Sequence, residues 1–142
     1  MAASINEAQV TWSAASSVTL SSATRVDSDA LTLNAADGPA SVQISADNSG
    51  TPSAGDVLNV YAKYTNGDIL GDSGDDYDTN KGATFLGQLD TYSTNGEDPI
   101  RRTYDLRSFG KKGVKISVDA PQGGVSGHNI VVRARIVTNR QQ

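Results

Sequence analysis

The sequence predicts an all-β protein, specifically a two-sheet antiparallel β-sandwich with eight or nine strands, for which a jelly-roll strand order is preferred over an immunoglobulin-like one. Composition is the first indication, since Ser, Thr, Gly and Asn are abundant and only 20% of the residues are charged, which favours strands and turns over helices. The second is that apolar and polar residues alternate with a period of two over short segments. The third is that turn-forming residues separate these segments at the spacing typical of two packed sheets.

The 142 residues are expected to form an N-terminal arm, residues 1–9, followed by one domain, residues 10–142. The arm offers only Ile5 as a large apolar residue. We expect no membrane span, because no apolar run approaches 18 residues, and no secretory signal. Cysteine is absent, which excludes disulfides and thiolate metal sites and agrees with synthesis in the cytosol.

The first third of the chain contains four short segments with strand-like alternation. The apolar positions expected to share a face are Val10 with Trp12, Val18 with Leu20, Leu31 with Leu33, and Val42 with Ile44 and Ala46. A turn at Asp37–Pro39 and a loop at Asn48–Pro52 separate the later segments, because Pro donates no ladder hydrogen bond and Gly favours turns.

The longest strands are predicted within residues 57–92, one on each side of an acidic central loop. Before the central loop, Leu58, Val60, Ala62 and Tyr64 share one face; after it, Phe85 and Leu89 are expected to share one across Gly87, where a bulge or a close backbone approach is predicted. Three further strands follow, and the last, residues 130–137, alternates most regularly. The expected core contains Leu58, Val60, Phe85, Leu89, Val114, Ile116, Val132 and Ile136.

The central loop, Asn66–Gly82, is the most acidic part of the chain. Its carboxylates suggest a Ca²⁺ site, because Ca²⁺ takes six to eight oxygen ligands; the candidates are Asp72, Asp75, Asp76 and Asp78, with Asp68 nearby. The spacing does not match an EF-hand, since Gly74 stands at the third position and no Glu at the twelfth. We therefore expect no bound metal or cofactor, and a loop that is solvated or faces the basic strands of a neighbour.

Charge is divided unevenly along the chain. Residues 1–100 contain three basic and fourteen acidic residues, a net charge of −11, whereas residues 101–142 contain nine basic and two acidic residues, a net charge of +7. Two surfaces of opposite sign could meet between subunits or face a partner. The predicted partner interface contains Arg101, Arg102, Arg107, Lys111, Lys112, Arg133, Arg135 and Trp12. The alternative is a soluble edge, since charges blunt edge-to-edge aggregation.

No set of residues suitable for catalysis is apparent, so the chain is not expected to be an enzyme. The single histidine, His128, follows Ser126 in a glycine-rich loop that gives no reason for activation, and one His without Cys makes a zinc site improbable. A nucleic-acid partner is not expected, because the chain is acidic overall and carries no aromatic-plus-basic motif.

The segments DVLNVYAKYTNGDILGDSGDDYDT, FLGQLDTYSTNGEDPIRRTYDL, VKISVDAPQGG and NIVVRARI resemble, in their order of strands and loops, small β-sandwich decoration or cement-type proteins of tailed-bacteriophage virions. The resemblance covers residues 55–138. It implies a structural virion protein on the capsid surface, made in the host cytoplasm, that stabilises the shell by binding the major capsid protein and copies of itself as a homo-oligomer.

The alternative is a carbohydrate-binding or adhesin-type module associated with a tail or fibre. In that case Ca²⁺ would be held in the 68–78 loop, and Trp12 or Tyr61 would stack on the sugar. For Trp12 the other role is that of an anchor in the core or at a subunit contact.

Overall fold

The strands of the computed structural model form two antiparallel sheets that pack against each other. The structure describes residues 3–33, 37–49, 54–91, 99–108, 110–122 and 129–141. The strands are β1 (Ala3–Gln9), β2 (Val18–Leu20), β3 (Val26–Asp27), β4 (Leu31–Thr32), β5 (Asp37–Ser49), β6 (Val57–Thr65), β7 (Thr84–Asp90), β8 (Ile100–Leu106), β9 (Gly113–Asp119) and β10 (Asn129–Gln141). Within these ranges no helix is present, and so none that could cross a membrane.

The strand order is that of a jelly roll, which confirms the predicted fold class. Sheet 1 has the order β1–β10–β5–β8, with β2 pairing the start of β10, and sheet 2 has the order β3–β9–β6–β7, with β4 pairing the start of β9. The described residues form ten strands rather than eight or nine. The difference arises at two places, because β1 and β2 both pair with β10 along its length, and β3 and β4 both pair with β9.

A tight turn accounts for the break after β1. Ser13 and Ala14 have positive φ angles of 49° and 67°, and a bridge between Trp12 and Ala15 closes the turn. Asp29 holds it by accepting hydrogen bonds from the Thr11 hydroxyl at 2.7 Å and from the backbone amides of Ala14 and Ser13 at 2.8 and 3.1 Å. These hydrogen bonds, with that from Thr11 foremost, keep the pKa of the Asp29 carboxyl below its ordinary value.

The segment that the sequence predicts as an arm is strand β1 over residues 3–9. It pairs antiparallel with the second half of β10, from Ala3 opposite Gln141 to Gln9 opposite Arg135. The two ends of the described chain are therefore neighbouring strands at one edge of sheet 1.

The core lies between the sheets and consists of the inward-facing half of each alternating strand. Seven of the eight predicted core residues are buried there, as are the other inward-facing residues of β5, β6 and β10. Phe85 is the exception, because 56% of its surface is exposed.

A β-bulge in β7 explains the position of Phe85. Val60 pairs with Gly87, but the next residue of β6, Tyr61, pairs with Phe85, so Leu86 is an extra residue. The alternation is shifted by one position, and Phe85 turns outward against the Tyr61 ring, with 5.4 Å between ring centroids. The predicted bulge next to Gly87 is confirmed, whereas the predicted burial of Phe85 is wrong.

Candidate functional site

The outer face of sheet 1 carries a cluster of arginines on three adjacent strands. Ser45 on β5 pairs with Arg133 of β10 on one side and with Arg101 of β8 on the other. Since neighbouring strands lie about 4.8 Å apart, the two arginine backbones stand about 10 Å apart across a small residue. Arg135 lies two residues further along β10. These three arginines line a shallow cavity of about 190 Å³, here called the arginine groove, together with Gln9, Gln43, Ser45 and Ala134.

The arginine groove is exposed and cationic. Arg101, Arg133 and Arg135 are all exposed, and the Arg135 guanidinium donates to Glu7 on β1 at 3.1 Å. Within the part of the chain that the structure describes, neither Arg101 nor Arg133 forms an ion pair. Guanidinium groups bind carboxylates through two parallel hydrogen bonds, so the groove is suited to an acidic surface.

The other predicted interface cations lie elsewhere. Arg102 is at the open edge between the sheets, where it donates to the Gln88 carbonyl at 3.1 Å and its guanidinium carbon lies 5.3 Å from the centre of the Tyr104 ring. Lys112 donates to Asp75 of the acidic loop at 2.7 Å, and Lys111 lies at the base of the same loop. Arg107 is exposed beyond the end of β8. The basic run is therefore divided among four places.

Trp12 lies in the core, with 3% of its surface exposed. Its side chain consequently offers almost no surface to a partner or a sugar, and of the roles considered the core role is the one that its burial supports. The strand alternation that links Val10 and Trp12 is the reason, since both residues turn inward.

The acidic loop between β6 and β7 is shaped by its own carboxylates. Asp68 accepts hydrogen bonds from the amides of Ser73, Gly71 and Asp72, at 2.8, 2.7 and 3.2 Å. These hydrogen bonds, that from Ser73 foremost, lower the pKa of Asp68. Asp76 accepts from the amides of Ile69 and Leu70 at 2.7 and 3.1 Å, which presents those two side chains to solvent.

The candidate metal ligands separate into two groups. Oxygens of Asp68, Asp72 and Asp76 lie within 4.8 Å of one another. Asp75 instead accepts from Lys112, and Asp78 accepts from the Tyr64 amide at 2.9 Å, which ties the end of the loop to β6. A shallow cavity of about 350 Å³ lies at the base of the loop, between Tyr64 and Lys111.

The outer face of sheet 2 contains a polar network that the sequence did not reveal. Lys63 of β6 is buried, with 5% of its surface exposed, and its amine contacts Asp27 of β3 and Asn80 of the acidic loop. Arg25 pairs with Asp119 at 3.3 Å and covers the Tyr61 ring at 3.7 Å from its centre. The alternation in β6 indicates that Lys63 points outward, but only the folded loop shows that it is covered.

His128 and Ser126 lie outside the described residues. A comparison with models of known protein families gave no match, and a comparison with curated proteins found no similar sequence. The geometry of the chain's own surfaces is therefore what points to a function.

Proposed function

We propose that this chain is a structural virion protein of a tailed bacteriophage that attaches to the capsid surface and stabilises the shell as a decoration or cement protein. Its partners are the major capsid protein and other copies of itself. The observation that carries the proposal is the arginine groove, a cationic surface built on the rigid outer face of sheet 1. The fold agrees with it, because the two-sheet jelly roll occurs in viral capsid domains, although lectin domains share it.

The arginine groove has features that a docking surface needs. Its side chains project from three paired strands, so their spacing is set by the sheet register rather than by a loop. Arg side chains also contribute strongly to the centres of protein interfaces. An acidic patch on the shell would complete the contact, and repetition around a symmetric shell would multiply a weak single contact into firm attachment.

The carbohydrate-binding alternative is not favoured by the geometry of the two aromatic residues that it requires. Trp12 is in the core, and one face of the Tyr61 ring is covered by the Arg25 guanidinium. A sugar platform needs an accessible ring face. Trp12 offers none, and the accessible area of the Tyr61 ring is reduced by Arg25 on one face and by the tilted Phe85 ring, with 5.4 Å between ring centroids.

The test uses capsid shells that lack the protein and measures how many copies of added protein they bind. Arg133→Glu is compared with Lys81→Glu, which changes the net charge equally but lies in the acidic loop. At low salt we expect Arg133→Glu to weaken binding about tenfold or more, the double variant with Arg101→Glu to weaken it further, and Lys81→Glu to bind as the original chain does.

Salt provides a second measurement on the same shells. Raising the ionic strength from 0.1 to 1 M shortens the Debye length from about 10 to about 3 Å, so attachment should loosen with salt. Equal binding by Arg133→Glu and the original chain would remove the arginine groove from the contact. If the original chain binds no shell at any salt concentration, the virion role itself is refuted.

A further inference from the structure

The Lys63 amine is held between a carboxylate and an amide in a covered position. Lysine is almost never buried unless it is paired. Here the Lys63 Nζ donates to Asp27 Oδ2 at 2.8 Å and to Asn80 Oδ1 at 2.5 Å, and only 7% of the lysine side chain is accessible to solvent. An amine, a side-chain amide and a potential proton acceptor therefore meet at one point.

Neighbouring groups fix each participant. The Ser117 hydroxyl donates to the second oxygen of Asp27 at 2.7 Å. Arg25 donates to the Asn80 backbone carbonyl at 2.9 Å, which anchors this end of the acidic loop over sheet 2. Partial burial alone would raise the pKa of Asp27, but the hydrogen bonds from Lys63 and Ser117 outweigh it and lower the pKa, so the carboxylate is ionised and held against the Lys63 amine.

The hydrogen bond to Asn80 brings the amine nitrogen close to the carbon that it would attack. Because the Asn80 carbonyl bond is about 1.23 Å long, the 2.5 Å hydrogen bond places Lys63 Nζ about 3–3.7 Å from Asn80 Cγ. Productive nucleophilic contacts begin at about 3–3.5 Å. Rotation of the amide about its Cβ–Cγ bond leaves Cγ in place and turns the face of the carbonyl toward the amine without moving the backbone.

We propose that Lys63 and Asn80 condense spontaneously to form an intramolecular isopeptide bond, with Asp27 as the catalytic acid and base. Asp27 removes a proton from the Lys63 ammonium, and the free amine attacks Asn80 Cγ. The Nζ–Cγ bond forms and the Cγ–Nδ2 bond breaks. The leaving nitrogen departs as ammonium, having taken up both protons lost from Nζ, and Asp27 returns to its carboxylate form. No oxidant, reductant or external group takes part.

Lys63 is one of two positive charges that act on Asp27, the other being Lys115. Lys115 stands directly opposite Lys63 in the pairing of β6 with β9, on the same outward face. Like charges at opposed positions destabilise a sheet, and amide formation removes one of the two charges. The product ties β6 to the far end of the acidic loop and closes a ring from residue 63 to residue 80. This inference does not depend on the virion role.

The test is the mass of the purified full chain and of its tryptic peptides. Between Arg25 and Lys81 trypsin has only Lys63 as a cleavage site. An acylated Lys63 is not cut, so residues 26–81 should appear as one peptide whose mass is low by about 17 Da, the mass of ammonia. Lys63→Arg, Asn80→Ala and Asp27→Ala should each keep the full mass.

Two control variants separate the isopeptide from other losses of ammonia. Asn66 precedes Gly67, a pair prone to succinimide formation with the same mass change, so Asn66→Ala should still show the loss. Lys115→Arg should show it as well. Asn80→Ala should also melt about 5 °C lower or more, because it lacks the covalent ring. The proposal is overturned if the original chain keeps its full mass after prolonged incubation, or if trypsin still cuts after Lys63. The intact mass and the cleavage after Lys63 are both measured on the original chain, so they decide the question even if a variant fails to fold.

Discussion

Gly87 lets the two sheets close against each other at the β7–β8 edge, and Gly87→Ala tests how tightly. A Cβ atom at this position would stand 2.7 Å from Cε1 of Tyr104 and 3.4 Å from its Cδ1. Tyr104 is buried, with 6% of its surface exposed, so the ring has little freedom to withdraw. Overpacking of this kind costs about 1–3 kcal/mol. At about 3–4 °C per kcal/mol for a chain of this size, the melting temperature should fall by about 3–12 °C.

The assay is thermal and urea unfolding of four proteins: the original chain, Gly87→Ala, Tyr104→Ala and the double variant. Removing the Tyr104 ring makes room for the added methyl group. In the Tyr104→Ala background the Gly87 substitution should therefore cost about 1 kcal/mol less than it does alone. The reasoning is refuted if Gly87→Ala unfolds within about 0.5 kcal/mol of the original chain, or if its cost is the same in both backgrounds.

Two further predictions concern carboxylates. The pKa of Asp29 is below its ordinary value of 3.8 in the folded chain, so the stabilising contribution of this carboxylate is fully present above that pH and is lost as the pH falls through the folded value. The melting temperature of Asp29→Asn should therefore lie below that of the original chain at pH 7, and the difference between the two should narrow below pH 4. A difference that stays constant with pH would contradict the assignment. For the cluster of Asp68, Asp72 and Asp76, we expect EDTA and millimolar Ca²⁺ to give the same melting temperature; a rise above about 5 °C with Ca²⁺ would show binding linked to folding.

The sequence predicted the sheets well where alternation is regular. Along β6, β9 and β10 the inward positions follow from a period of two, because one face of each strand must be buried against the other sheet. The predicted inward position of Phe85 is wrong because the same alternation is interrupted in β7. The extra residue, Leu86, reverses the direction of the side chains that precede it in the strand. Gly87 correctly predicts a bulge, but a glycine within a strand does not identify which neighbouring residue is the extra one.

The candidate sites were harder to predict, because they depend on how segments distant in sequence are brought together. Arg101 and Arg133 meet only through the register of β8, β5 and β10, whereas Arg102, adjacent to Arg101, points to the other side of its strand. The sequence does not predict β3, because a strand of two residues has no measurable period. Without β3, nothing in the sequence places Asp27 next to Lys63.

The central position of β10 in sheet 1 has a consequence for the order of folding during synthesis. β10 pairs with β1, β2 and β5, so three of the four other strands of sheet 1 cannot complete their ladders until β10 has left the ribosome. The pairing of β6 with β7 and β9 needs no later segment. Sheet 2 is therefore free to nucleate first, while β1 and β2 lack their partner strand and β5 can pair only with β8. The interval before β10 emerges is consequently the one most exposed to aggregation.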